Sequence, residues 1–301
     1  MSKLADNEIE IQIGEGNVKK GYAEIPIQID SNIGNGEYTI KAVYSGDEYY
    51  APSVATGKLR VGFKSYTHCP HMFVWNQYKT NMKLVANIFV GTHQASLGKG
   101  IFRMRGEYID TATPLYVSSG QASKIYNGAD LEYGNTSYRY GFRYLGSYDT
   151  RIKSRNINPS ESADARITIM GNQGNRDDTR EARVHPVIEI DPIVGKPGET
   201  VTATARIYNS NYGTVYDNSD IPLGKGTLMF WYEGMSESSA FRQATEINSS
   251  GYCQVAFTIP DYEEGGYNFY GKFLSRDKTD WATTYGATSM FVTRYAPSSK
   301  K

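Results

Sequence analysis

Apolar residues recur at every second position in short runs along this chain, and a turn cluster closes each run. Ile9, Ile11 and Ile13 alternate with Glu10 and Gln12; Ile25, Ile27 and Ile29 repeat the pattern, as do Tyr38, Ile40, Ala42 and Tyr44. Further on, Val201, Ala203, Ala205 and Ile207 alternate with Thr202, Thr204 and Arg206, and Val255, Phe257 and Ile259 with Gln254, Ala256 and Thr258. A period of two puts one set of side chains on one face of an extended strand. Ser31-Asn32-Ile33-Gly34-Asn35-Gly36 and Asn248-Ser249-Ser250-Gly251 supply turns between such runs. Nothing of helical length carries a 3.6-residue apolar stripe, so the expected class is all-β.

The runs also repeat. Leu97-Gly98-Lys99-Gly100 recurs as Leu223-Gly224-Lys225-Gly226, each followed by an apolar, aromatic run, and Met82–Ile88 upstream matches Val201–Ile207. Gly21–Ile27 parallels Gly251–Phe257, and Gly36–Tyr44 parallels Gly266–Phe273, with Tyr138–Tyr144 in the same place between them. Matches in a fixed order mark a tandem array. The expected units are a partial one over 6–62, a complete one over 66–170 with a central insertion at about 105–135, a polar linker over 171–185, and a complete one over 186–296.

About seven short strands per 100–110 residues is a sandwich pattern. Several of these segments resemble bacterial-type immunoglobulin-like (Big-type) repeat domains. Lys196-Pro197-Gly198-Glu199-Thr200-Val201-Thr202 resembles their opening, and Gly226–Gly234 their middle strand and turn. Gly36–Tyr50, which contains Tyr44-Ser45-Gly46-Asp47, resembles their closing hairpin. The fold so implied is a series of immunoglobulin-like β-sandwiches with the first unit incomplete. The role so implied is that of spacers, adhesins or decorations on cell surfaces and virions.

Composition narrows the function further. The 32 basic and 32 acidic side chains cancel, which removes the electrostatic footprint of a general nucleic-acid binder. No apolar run of about 20 residues is present to span a membrane as a helix. Cys69 and Cys253 are too few and too distant for a disulfide scaffold. The N-terminal Met1-Ser2-Lys3-Leu4-Ala5-Asp6 does not read as a secretory signal.

Candidate chemistry is sparse. His68-Cys69-Pro70-His71 gathers soft metal donors, yet adjacent His68 and Cys69 do not easily face one ion and no second ligand pair completes the set; an ordered junction without metal is expected. Asp47, Asp149 and Asp277 follow closing-strand aromatics and read as turn caps. No Gly-x-Ser-x-Gly elbow and no evident carboxylate pair appear. A non-enzymatic chain with no catalytic residues and no cofactor follows.

Tyrosine, present 25 times, is the remaining hint. Tyr138, Tyr140, Tyr144 and Tyr148 are either sandwich core or exposed platforms. Tyr49, Tyr50, Tyr108, Tyr116, Tyr126, Tyr133 and Trp281 are the candidates for a protein interface or a glycan contact. The expected function is structural, as a tail, fibre or capsid-decorating component of a virion. A segment of a cell-surface adhesin or surface-layer protein, or a carbohydrate-binding module, are the alternatives. The expected partners are further copies or other structural proteins, with strand completion of residues 6–62, or a cell-surface glycan; the expected location is a virion or an extracellular surface.

Overall fold

The computed structural model describes residues 11–27, 33, 36–91, 93–95, 97–132, 134, 137–148, 156–171, 185–209, 226–243, 251–276 and 282–294. Two compact units result, Met1–Val61 and Gly62–Lys301. Among the described residues there is no α-helix, and no helix is long and apolar enough to cross a membrane.

The first unit contains one antiparallel hairpin, β1 (Gly36–Tyr44) and β2 (Ser53–Val61). Its register runs from Gly36↔Val61 to Tyr44↔Ser53. Tyr38↔Leu59, Ile40↔Gly57 and Ala42↔Ala55 share one face, and Glu37↔Arg60 and Thr39↔Lys58 the other. Glu37 accepts from Lys58 at 2.7 Å and Arg60 at 3.2 Å, bonds that lower its pKa. The strand expectation over Ile9–Ile13 and Ile25–Ile29 fails within residues 11–27. Residues 11–27 carry only a bridge, with Lys19 and Tyr22 exchanging bonds of 2.7 and 3.0 Å around Lys20 and Gly21. Their φ angles of 53° and 82° suit a tight two-residue turn. Pro26 withholds a ladder donor, and Gly14 and Gly16 weaken the facing arm, so alternation alone does not make strands here.

The second unit holds two sandwiches. The strands of the first are β3 (Ser65–His68), β4 (Met72–Trp75), β5 (Met82–Val90), β6 (His93–Gln94), β7 (Lys99–Met104), β8 (Glu107–Tyr108), β9 (Leu115–Tyr116), β10 (Gln121–Tyr126), β11 (Arg139–Tyr144), β12 (Ser160–Glu161) and β13 (Ala165–Met170). One sheet runs β10-β5-β3, the other β4-β13-β11-β7-β8. The segment 105–135 thus contributes β10, an integral strand beside β5.

The second sandwich repeats this plan with β14 (Pro186–Ile190), β15 (Ile193–Gly195), β16 (Thr200–Asn209), β17 (Gly226–Tyr232), β18 (Phe241–Gln243), β19 (Tyr252–Thr258), β20 (Gly265–Ser275) and β21 (Thr284–Val292). Its sheets run β14-β16-β19 and β15-β21-β20-β17-β18. In both sandwiches the opening strand pairs with one sheet, while the short strand after it joins the other in parallel: β4 with β13, β15 with β21. This is the strand order of an immunoglobulin-like β-sandwich.

Repeated sequence occupies repeated positions. Leu84, Ala86 and Ile88 on β5 and Ala203, Ala205 and Ile207 on β16 face their respective cores. Phe142 and Phe273 are fully buried on β11 and β20, each burial contributing roughly 1.5–3 kcal/mol. The last glycine of each Leu-Gly-Lys-Gly motif lies under one of these rings. A Cβ on Gly100 would come within 2.2 Å of Phe142 Cζ, and one on Gly226 within 2.4 Å of Phe273 Cε2. A methyl group at either site overfills the core, so Gly100→Ala and Gly226→Ala are each expected to lose about 1–3 kcal/mol in urea denaturation. Unchanged midpoints would contradict that packing.

Candidate functional site

The two sandwiches of the second unit meet through side chains on the outward face of β20 and β21. Period two sends Phe269 and Phe273 into their own core and leaves Asn268 and Tyr270 outward; on β21 it leaves Tyr285, Ser289 and Phe291 outward. Residues of β3, β4 and β5 cover these positions. Phe291 stacks on Phe89 with centroids 4.4 Å apart and meets Tyr66 edge-on at 5.2 Å. Phe73 stacks on Tyr285 at 5.4 Å. Trp75 donates Nε1–H to the Pro186 carbonyl at 3.1 Å and meets the His185 ring at 4.8 Å.

Polar groups fix the register of this seam. Ser289 Oγ accepts from Asn87 Nδ2 at 2.8 Å and lies 2.7 Å from His68 Nδ1. Accepting from Asn87 leaves the hydroxyl proton for Nδ1, which suits a neutral imidazole. Asn268 Oδ1 accepts the His71 backbone N–H at 2.8 Å. Asn268 is itself clamped by Glu233, which accepts its backbone N–H at 2.9 Å and its Nδ2 at 2.8 Å. Tyr270 Oη pairs with His71 Nδ1 at 3.0 Å, and Tyr66 donates to Glu264. Gly266 permits the approach, since a Cβ there would lie 2.5 Å from His68 Cβ.

Burial dominates the electrostatics. It brings the His68 pKa down to about 4, against an opposing pull from Glu233. His71 is lowered for the same reason, reinforced by Arg166. Both cysteines are free and buried, and burial pushes their thiols up, Cys69 to about 12 and Cys253 to about 11. His68, Cys69 and His71 therefore have separate tasks: Cys69 belongs to the core of the first sandwich, and the histidines bind across the seam. Among the described residues no cluster of three metal-ligating side chains occurs.

The Ser289–His68 contact has the atoms of a catalytic dyad but not the access. Ser289 is 0% exposed, so no substrate reaches its hydroxyl. The adjoining cleft, lined by His71, Phe73, Trp75, Lys83, Ile188 and Tyr285, holds about 140 Å³, well below the roughly 300–1,000 Å³ of ordinary ligand pockets. The arrangement is suited to holding two bodies together.

Among the described residues of the second unit, the tyrosine candidates do not converge on this seam. Tyr49 and Tyr50 are 80% and 69% exposed in the turn after β1, where Asp47 accepts both backbone N–H groups at 2.8 Å and the Tyr44 hydroxyl at 2.7 Å. Asp47 is thus a turn cap, while Asp149 and Asp277 lie outside the described residues. Tyr108 and Tyr116 are exposed beside β7, pairing with Arg103 and Lys99. Tyr126 packs half-buried against the first core, and Tyr138, Tyr140 and Tyr144 lie within it. Tyr133 and Trp281 fall outside the described residues. The seam residues Asn87, Asn268, Ser289 and Phe291 escaped sequence reading, although the run Ser289-Met290-Phe291-Val292, buried on both faces, breaks the two-residue period.

No protein-family profile and no curated protein matches the chain. Solved structures similar to it include fibronectin(III)-like modules of Clostridium thermocellum CbhA, at 13% identity over 75% of this chain and 94% of that one, with a TM-score of 0.24. The D0-D1 domain of intimin is similar at 10% identity over 75% of this chain and 99% of that one, with a TM-score of 0.31. The Yersinia pseudotuberculosis adhesin InvE is similar at 12% identity over 75% of this chain and 58% of that one, with a TM-score of 0.22.

A histidine held neutral by burial binds a proton more readily once unfolded. Stability is therefore full above the unfolded histidine pKa of about 6.5 and falls as pH drops toward 4. The loss from His68 is on the order of 2–3 kcal/mol, and His71 acts in the same direction. Thermal unfolding of wild type and His68→Gln at pH 7 and pH 4.5 checks this, the variant showing the smaller acid-induced drop. Equal drops would assign the effect elsewhere.

Proposed function

We propose that this chain is a non-enzymatic structural segment of an extracellular or surface assembly, built of bacterial-type immunoglobulin-like units in series. The observation that carries the reading is the seam. Histidine, serine and asparagine side chains, part of the usual stock of an active site, are here enclosed in fixing one sandwich against the next, and Glu233 holds Asn268 in place. A rigid joint of this kind sets the direction in which a chain of domains projects. The adhesin role named for InvE is the cell-surface form of this reading, and a tail, fibre or capsid decoration is its viral form. Residual dipolar couplings of the full chain are expected to fit one alignment tensor across both sandwiches. Independent tensors would mean a flexible tether and overturn the reading.

Assembly by strand completion belongs to the same reading. The β1–β2 hairpin corresponds in sequence to the closing hairpin β20–β21, whose outer edges are occupied by β17 and β15. Among the described residues the sheet of β1 and β2 has just those two strands, and Tyr38, Ile40 and Leu59, which share one face, are only half-buried. Unpaired edges and an uncovered apolar face favour pairing with another chain. Strands of another copy or of a structural partner complete the unit in this proposal. Light scattering over a range of concentrations is expected to show a multiple of the 33.6 kDa chain mass. A monomer at every concentration would remove self-completion.

A further inference from the structure

The cleft beside the seam is too small for an ordinary ligand, yet its walls are those of a socket for one side chain. Phe73 and Trp75 on β4, Ile188 on β14 and Tyr285 on β21 line its volume of about 140 Å³. An apolar cavity of about 150 Å³ takes one benzene ring, so the space suits a single aromatic side chain. Its rim is built from strand edges: β4 is an end strand of its sheet. On the other side β15 pairs with β21 only over Met290–Val292. Among the described residues no strand therefore pairs with that edge of β21 over Thr284–Ala287, which borders the cleft. Lys83, exposed on β5, also lines it. With His71 held neutral by burial, Lys83 is the one charged group near pH 7 among the described lining residues, and none of them is a carboxylate.

A matching projection lies on the chain itself. The turn between β1 and β2 leaves Tyr49 80% and Tyr50 69% exposed, with Glu48 exposed before them. This tip is held in shape. Asp47 accepts both tyrosine backbone N–H groups at 2.8 Å, and its own N–H donates to the Tyr50 carbonyl at 2.9 Å. Gly46 supplies the left-handed φ of 83° that the turn needs, and a Cβ there would lie 2.8 Å from the Tyr50 carbonyl oxygen. A turn fixed in advance loses little entropy on docking, and tyrosine rings are favoured anchors at protein interfaces. Neither Glu48 nor Lys83 has an ion-pair partner among the described residues, and their charges are complementary.

We propose that the Glu48-Tyr49-Tyr50 tip of one copy docks in the cleft of a second copy, one tyrosine ring entering beside Phe73, Trp75 and Tyr285 while Glu48 pairs with Lys83. Tip and cleft are different patches, so the contact is heterologous and passes from copy to copy into a ring or a filament. Docking of this kind rests on the assembly of copies proposed above, but it leaves the strand edges of the β1–β2 sheet unused.

Sedimentation velocity of the full chain over a range of concentrations at pH 7 tests this. Wild type is expected to self-associate. Tyr49→Ser/Tyr50→Ser is expected to weaken the association by about tenfold or more, with the turn kept because Asp47 bonds to backbone there. Glu48→Lys and Lys83→Glu, both at exposed positions, are each expected to weaken it by about three- to fivefold. The double variant Glu48→Lys/Lys83→Glu restores the opposite charges and is expected to recover wild-type association. Association that none of these variants weakens would overturn the docking and leave strand completion standing. Weakening by both single charge variants without recovery in the double would also overturn it, since the two charges would then act on other partners. A monomer at every concentration would remove docking and self-completion together, leaving the rigid joint to the dipolar-coupling measurement.

Discussion

Burial of both faces of one hairpin organises the second unit. The inward face of β20 and β21 closes the core of their own sandwich through Phe269, Phe273 and Met290. The outward face closes the joint to the other sandwich through Asn268, Ser289 and Phe291. An antiparallel sheet ordinarily keeps one face in water. Here Asn268, Tyr270 and Ser289 on the outward face instead bond to residues of the neighbouring sandwich. Because Asn268 is clamped by Glu233 and Ser289 by Asn87, the polar centre is satisfied as it is buried, and the stacked Phe89 and Phe291 rings exclude water around it.

The sandwich class was legible because its two signals are local. Alternation at Val201–Ile207 and Val255–Ile259 became β16 and β19, and the Leu-Gly-Lys-Gly repeat marked the entries to β7 and β17. The repeat was informative for a steric reason, since its last glycine lies under an aromatic ring from a strand far along the chain. The same alternation misled at Ile11–Ile13 and Ile25–Ile27, where a proline and facing glycines leave no ladder to join. Periodicity reports a side-chain pattern; pairing must come from elsewhere.

The seam was not legible, because a residue directed outward into a neighbour looks in sequence like one directed outward into water. His68 and His71 illustrate this. Their spacing beside Cys69 drew attention as a metal motif, whereas their geometry splits them between Ser289 and Tyr270 and sends the thiol into a core. Tyr140 and Tyr144 likewise belong to the interior, their hydroxyls bonded to the Pro70 and Leu97 carbonyls at 2.6 Å.

The two thiols carry a last consequence. Cys69 sits in one hydrophobic core and Cys253 in the other, and burial keeps each protonated far above neutral pH. A protonated, enclosed thiol neither attacks disulfides nor yields readily to peroxide. The fold is consequently indifferent to the redox poise of its surroundings, and can be completed in a reducing compartment and then persist unchanged in an oxidising one.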